Sequence, residues 1–193
     1  MQNKSLWQKL MPAIVIGAAS VTVANAVTLG EVEAIVPATD LPETAIVNTS
    51  NNNLDVIEHN GDLYFAWRTS KSHFASNQTL LQIIRKPAGA SQWIYEARLH
   101  TGKDLREPRF LSLNGELFLY YAELGTNPIA FEPGRTLFSQ RLSDGGWSEP
   151  KVLFDNGFIP WRINWVDNQP IMIGYQGGEN IYDTKSNLLD LML

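Results

Sequence analysis

Two carboxylates and a set of arginines stand where apolar runs give way to polar loops, and they bound the chemistry this chain can carry. The carboxylates are Asp55 and Glu107; the cations are Arg68, Arg106, Arg109 and Arg162. Two carboxyl groups brought to one place can act as acid, base or nucleophile. Clustered arginines take up carboxylate or sulfate through forked hydrogen bonds. They should also depress nearby carboxyl pKa values, favouring a nucleophile or base over an acid. The same side chains have a plainer reading. Arg106, Glu107 and Arg109 can form an ion-pair network with no ligand, and Arg68, following Trp67 at a strand end, can snorkel from an apolar surface.

Other candidates are weaker signals. His73 lies in a long loop, while His59 and His100 read as surface residues. Trp161 and Tyr175 serve as core residues or as sugar platforms. Glu179 follows Gly177-Gly178, a pair that lets backbone approach a ligand but is first a turn signal. No spacing of His and carboxylates matches a zinc or calcium loop, so no metal or cofactor is expected.

The elements that must position these groups come from a repeat. Asn60-Gly61-Asp62-Leu63-Tyr64-Phe65-Ala66-Trp67, Asn114-Gly115-Glu116-Leu117-Phe118-Leu119-Tyr120-Tyr121 and Asn168-Gln169-Pro170-Ile171-Met172-Ile173-Gly174-Tyr175 recur at equal intervals along the chain, and Trp93 and Trp147 are separated by the same interval. Each unit puts a turn signal before an aromatic-rich run and holds several short strands, the pattern of a propeller blade. In the first unit strands are expected over Leu54 to His59, Asp62 to Arg68, Thr79 to Arg85 and Trp93 to Leu99. The second is expected over Arg109 to Leu113, Glu116 to Ala122, Thr136 to Arg141 and Trp147 to Phe154. The third begins at Ile163 to Val166 and Ile171 to Tyr175, then runs into Asn187 to Leu193. The fold class is therefore all-β, with about three four-stranded antiparallel blades over residues 51–193.

Strands alternate direction, so the loops divide between two ends of the blades. One end carries turns such as Asn60-Gly61 and Asn114-Gly115. The other carries the longer loops Arg68 to Gln78, His100 to Pro108, Glu123 to Arg135, Gly157 to Arg162 and Gln176 to Lys185. Binding groups usually sit on long loops held by a rigid scaffold, so the second end is the expected functional face.

Residues 1–26 read as a secretory signal: Lys4 and Lys9, an apolar stretch from Leu10 to Val23, then Ala24-Asn25-Ala26. The expectation is an exported, periplasmic or secreted chain with no membrane segment after cleavage. Residues 27–50 have no full partner in the repeat; Glu31 to Val36 reads as a strand and Pro37 to Pro42 as a linker. There is no cysteine, so no disulfide supports the domain. The net charge of −5 has no basic stripe, which argues against nucleic acid.

On these residues the chain resembles the sialidase (neuraminidase) superfamily of six-bladed propellers. Ser143-Asp144-Gly145-Gly146-Trp147 is similar to a shortened Asp-box, Ser-x-Asp-x-Gly-x-x-Trp, and Ala90-Ser91-Gln92-Trp93 to an eroded copy. The Arg-Ile-Pro motif of sialidases is absent, with Asn53-Leu54-Asp55-Val56 in its place. The family's Tyr nucleophile and its Glu partner would lie in blades beyond these three. The resemblance thus implies a carbohydrate-facing propeller of non-catalytic or truncated form. A second resemblance, of Leu105-Arg106-Glu107-Pro108-Arg109-Phe110, is to the Arg-Asp-Pro element of five-bladed furanoside-cleaving glycosidases, which also place an aspartate where Asp55 stands. It implies an exo-glycosidase for acidic or furanose sugars with Asp55 and Glu107 as catalytic carboxyls. The expected partners are a glycan or small acidic ligand, and a second copy of the chain that completes a ring of blades.

Overall fold

Asn60-Gly61 and Asn114-Gly115 set the register of the strands around them. Their backbones are left-handed at both central positions, with φ of 53° and 86° in the first turn and 53° and 81° in the second. That is the two-residue hairpin geometry Asn-Gly favours. The computed structural model describes residues 30–38, 40–176 and 191–192. Eleven strands are present among them: β1 Ser50–His59, β2 Asp62–Ser70, β3 Leu80–Lys86, β4 Ile94–Leu99, β5 Asp104–Leu113, β6 Glu116–Leu124, β7 Pro133–Gln140, β8 Lys151–Phe154, β9 Phe158–Val166, β10 Gln169–Gln176 and β11 Leu191–Met192.

The strands form two four-stranded meanders, β1-β2-β3-β4 and β5-β6-β7-β8, and a three-stranded sheet in the order β11-β10-β9. Every pairing is antiparallel. β1 packs against β5 and β5 against β9, so the first strand of each sheet lines the inside. This is a partial, propeller-like all-β fold. The signal stretch and most of Asn187 to Leu193 lie outside the described residues.

The main core fills the space between the first two sheets. Tyr64, Ala66, Leu81 and Ile83 of the first meet Phe110, Leu117, Leu119, Tyr121 and Leu137 of the second. A second cluster, Phe65, Trp67, Ile84 and Trp93, lies on the opposite face of the first sheet and is covered by Ile35, Val36, Leu41 and Ala45. Phe65, Trp67 and Trp93 correspond, one repeat further on, to Leu119, Tyr121 and Trp147, all of which pack against the first sheet. The leading segment therefore covers on the first unit the surface that the first unit covers on the second.

Several boundaries differ from the sequence reading. No strand forms over residues 31–36; Ile35 and Val36 pack their side chains on a sheet face. β2 is buried on both faces, since it lies between the second sheet and Ile35, Val36, Leu41 and Ala45. β4 and β8 start after Trp93 and Trp147, and Trp147 makes only an isolated bridge to Arg141. The third hairpin turns at Asp167-Asn168, with φ of 48° and 60°. Asn168 thus occupies the second turn position, not the first as Asn60 and Asn114 do. Without glycine, the turn uses two residues whose short polar side chains tolerate a left-handed backbone.

Candidate functional site

Each inner strand is interrupted near its start by a β-bulge. The register slips between Asn52 and Leu54 on β1 and between Arg106 and Arg109 on β5. On β9 it slips where Arg162 and Pro160 pair with Ile173 and Gly174, leaving Trp161 as the extra residue. Asn53, Glu107 and Trp161 thus sit on the three bulges, each one repeat interval from the next. Bulges re-aim side chains and gather at barrel rims and active sites. Asn53 and Glu107 are left-handed, with φ of 44° and 50°, a conformation uncommon for glutamate.

The bulge residues join the strands. Glu107 accepts hydrogen bonds from Asn53 Nδ2 on one oxygen and from Arg109 Nη2, at 2.6 Å, on the other. Arg109 also donates to the carbonyls of Pro108 at 2.7 Å, Leu54 at 3.3 Å and Trp161 at 2.5 Å. One guanidinium therefore ties β1, β5 and β9 together. Asp55 accepts from the backbone N–H of Phe110 at 2.7 Å, a second link between β1 and β5.

A second network lies beside the first, centred on Asp104. Arg68 and Asp104 are both 0% exposed and 2.9 Å apart. Thr79 donates to the same carboxyl oxygen at 2.7 Å, and Arg106 Nε donates to the other at 2.6 Å. Arg68 is further held by Asn52, Thr79 and the carbonyls of Ser72 and Phe74. Burial pulls the Arg68 guanidinium below its usual pKa, and Asp104 opposes the shift.

Most of the expected residues thus occupy the long-loop end, but their states differ from expectation. Arg68 does not snorkel; it is sealed among loop carbonyls because Asp104 supplies its counter-charge. Neither carboxyl is depressed. Burial raises Asp55 and Glu107, outweighing the lowering by Arg109 and by hydrogen bonds. Trp161 is not core: it is 56% exposed, projected outward by its bulge and 5.8 Å from the Tyr175 ring. Tyr175 packs with Ala122, Leu124 and Ile159. Arg162 is exposed, and His73 is exposed with Nδ1 3.3 Å from Asn52 Nδ2. Glu179 lies outside the described residues. His59 is buried rather than superficial, its Nδ1 2.8 Å from Ser112 Oγ at the short-turn end. No cluster of potential metal ligands occurs among the described residues.

Asp104, Asn53 and Thr79 were missed by sequence reasoning. Stepping one repeat interval back from Glu107 would have found Asn53. Asp104 offered only its proximity to Arg106, in a stretch that reads as loop.

The raised carboxyls give a testable pH dependence. A carboxyl whose folded pKa exceeds its unfolded value, about 4, contributes stability that is fully present below the unfolded pKa and is lost as pH rises through the folded pKa. Wild type should therefore gain stability relative to Asp55→Asn as pH falls from neutrality to the unfolded carboxyl value of about 4, read from urea midpoints. Asparagine still accepts from Phe110 N–H, which isolates the titration. A difference that runs the other way would sink this assignment.

Comparisons with known proteins add little. No protein-family description matches the sequence, and no curated protein does. Among solved structures, a native Bacillus subtilis arabinanase overlaps 67% of this chain and 69% of its own at 11% identity, with a TM-score of 0.31. So slight a likeness carries no functional argument.

Proposed function

We propose that this chain is a carbohydrate-binding, sialidase-like propeller domain, exported and without catalytic activity, whose glycan face is built around Trp161. The observation that carries this reading is the position of Trp161. An indole 56% exposed stands on the bulge equivalent to Glu107, with its backbone carbonyl fixed by Arg109 and Arg162 exposed next to it. A flat, positioned aromatic face beside a cation suits the C–H face of an acidic or furanose sugar. Against catalysis, both oxygens of Glu107 are engaged by Asn53 and Arg109, and Asp55 is spent on a backbone amide.

Titration of the protein with uronic-acid and arabinofuranose oligosaccharides, followed by tryptophan fluorescence and calorimetry, tests the reading. Trp161→Ala should weaken binding by about 1–3 kcal/mol without product forming. Unchanged affinity in that variant would remove the proposed platform. The alternative is an exo-glycosidase, favoured by burial-raised carboxyls at Asp55 and Glu107, which suit a general acid. Hydrolysis abolished by Glu107→Gln would establish it. A second copy of the chain is also part of the proposal, since Leu54 and Val56 remain exposed beside the covered Phe65 and Trp67. Light scattering should give twice the chain mass, and a stable monomer would exclude the dimer.

A further inference from the structure

The loops that follow β2 and β6 enclose a cavity of about 350 Å³ that contains none of the Trp161 face. Arg106 lies in its wall, held from behind on two nitrogens. Nε donates to Asp104 at 2.6 Å and Nη2 to the His73 carbonyl at 2.7 Å. Nη1 makes no hydrogen bond among the described residues. Asp104 is already shared with Arg68, so two guanidinium groups draw on one carboxylate. Such a preorganised cation with a free donor favours an anion.

The other walls define the rest of the ligand. Phe74 is 63% exposed and Ile129 is 92% exposed, and both line this cavity from facing loops. Single exposed apolar side chains need no explanation, but two that rim one cavity supply an apolar seat. Glu132 is the acidic group of the same cavity, with Oε2 accepting from Asn127 N–H at 3.3 Å. Its charge weighs more heavily against a dianion such as phosphate or sulfate than against a monoanion. A cavity of this size matches a small molecule rather than a polymer.

We infer that this cavity is a binding site for a small monocarboxylate with an apolar or aromatic body. The carboxylate pairs with Arg106 and the body lies between Phe74 and Ile129. The site is separate from the proposed glycan face and does not depend on it.

The test uses 3-phenylpropionate and its neutral amide as probes, titrated into the full chain and followed by calorimetry and amide chemical shifts. The acid should bind saturably, and the amide about ten-fold more weakly. Arg106→Gln should cost a similar factor. Ile129→Ser removes an exposed side chain without touching the core, and should weaken the acid by about three-fold or more while the melting temperature holds. Trp161→Ala should leave it unchanged. Equal binding of acid and amide, no saturable binding of the acid, or unchanged affinity in Ile129→Ser would each overturn the proposal, even if Arg106→Gln fails to fold. Loss of the acid in Trp161→Ala would overturn it as well, by moving the ligand to the glycan face. Loss of oligosaccharide binding alone would bear only on the glycan reading.

Discussion

Asp104→Asn is expected to destabilise the protein by about 3–5 kcal/mol, the usual consequence of removing one partner from a buried ion pair. Arg68 and Asp104 are each 0% exposed, so neither water nor a neighbouring carboxylate can replace the lost charge. The effect extends beyond one pair, because Thr79 and Arg106 donate to the same group and Arg106 in turn holds the His73 carbonyl. The loop after β2 should loosen together with the start of β5. Urea denaturation gives the magnitude, and hydrogen exchange over residues 71–79 gives the location. The double variant Arg68→Met, Asp104→Leu removes both fully buried charges, a replacement that is often neutral or stabilising, and leaves only the Thr79 and Arg106 donors without their acceptor. Recovery of most of the loss would identify an orphaned charge as the cause. A loss below about 1 kcal/mol in Asp104→Asn would mean that the network is solvated like a surface pair.

The sheets were legible because their turn chemistry is explicit. Asn-Gly at 60–61 and 114–115 specifies a tight hairpin, and a two-residue turn fixes the register of both flanking strands. The third hairpin lacks that glycine, and its turn falls one residue early, at Asp167-Asn168. The start of β5 was hidden for a different reason. Arg106-Glu107-Pro108 reads as loop, since proline cannot donate to a ladder. The bulge resolves the conflict by leaving Glu107 and Pro108 outside the regular pairing.

The gathering of these charged residues at one end was legible in the sequence, and their states were not. Loop length alone placed the arginines and carboxylates at one end of the sheets. Burial depends on partners distant in sequence, such as Asp104, 36 residues from Arg68, in a segment without apolar periodicity. The same distance effect reversed the expected carboxyl shifts. Counting arginines near Asp55 and Glu107 predicts depressed pKa values, whereas desolvation, which no local pattern encodes, dominates both groups.

Trp67→Ala should cost about 3–5 kcal/mol and should also expose how the leading segment stabilises the first sheet. Trp67 is 1% exposed, stacked on Phe65 with ring centroids 5.6 Å apart, and its cluster is closed by Ile35, Val36, Leu41 and Ala45. Its indole N–H is buried and has no hydrogen-bond partner among the described residues. Trp67→Phe therefore removes an unsatisfied donor along with part of the ring, and relief of about 1–3 kcal/mol of desolvation should offset much of the lost packing. The contrast between the two variants separates ring volume from the polar penalty. A double-mutant cycle with Val36→Ala then asks whether the segment acts through this face. Residues in contact couple by about 0.5 kcal/mol or more, and independent ones add. Coupling of that size would establish that residues 35–45 do for the first sheet what the first sheet does for the second. Additivity would show that the segment lies on the face without supporting it.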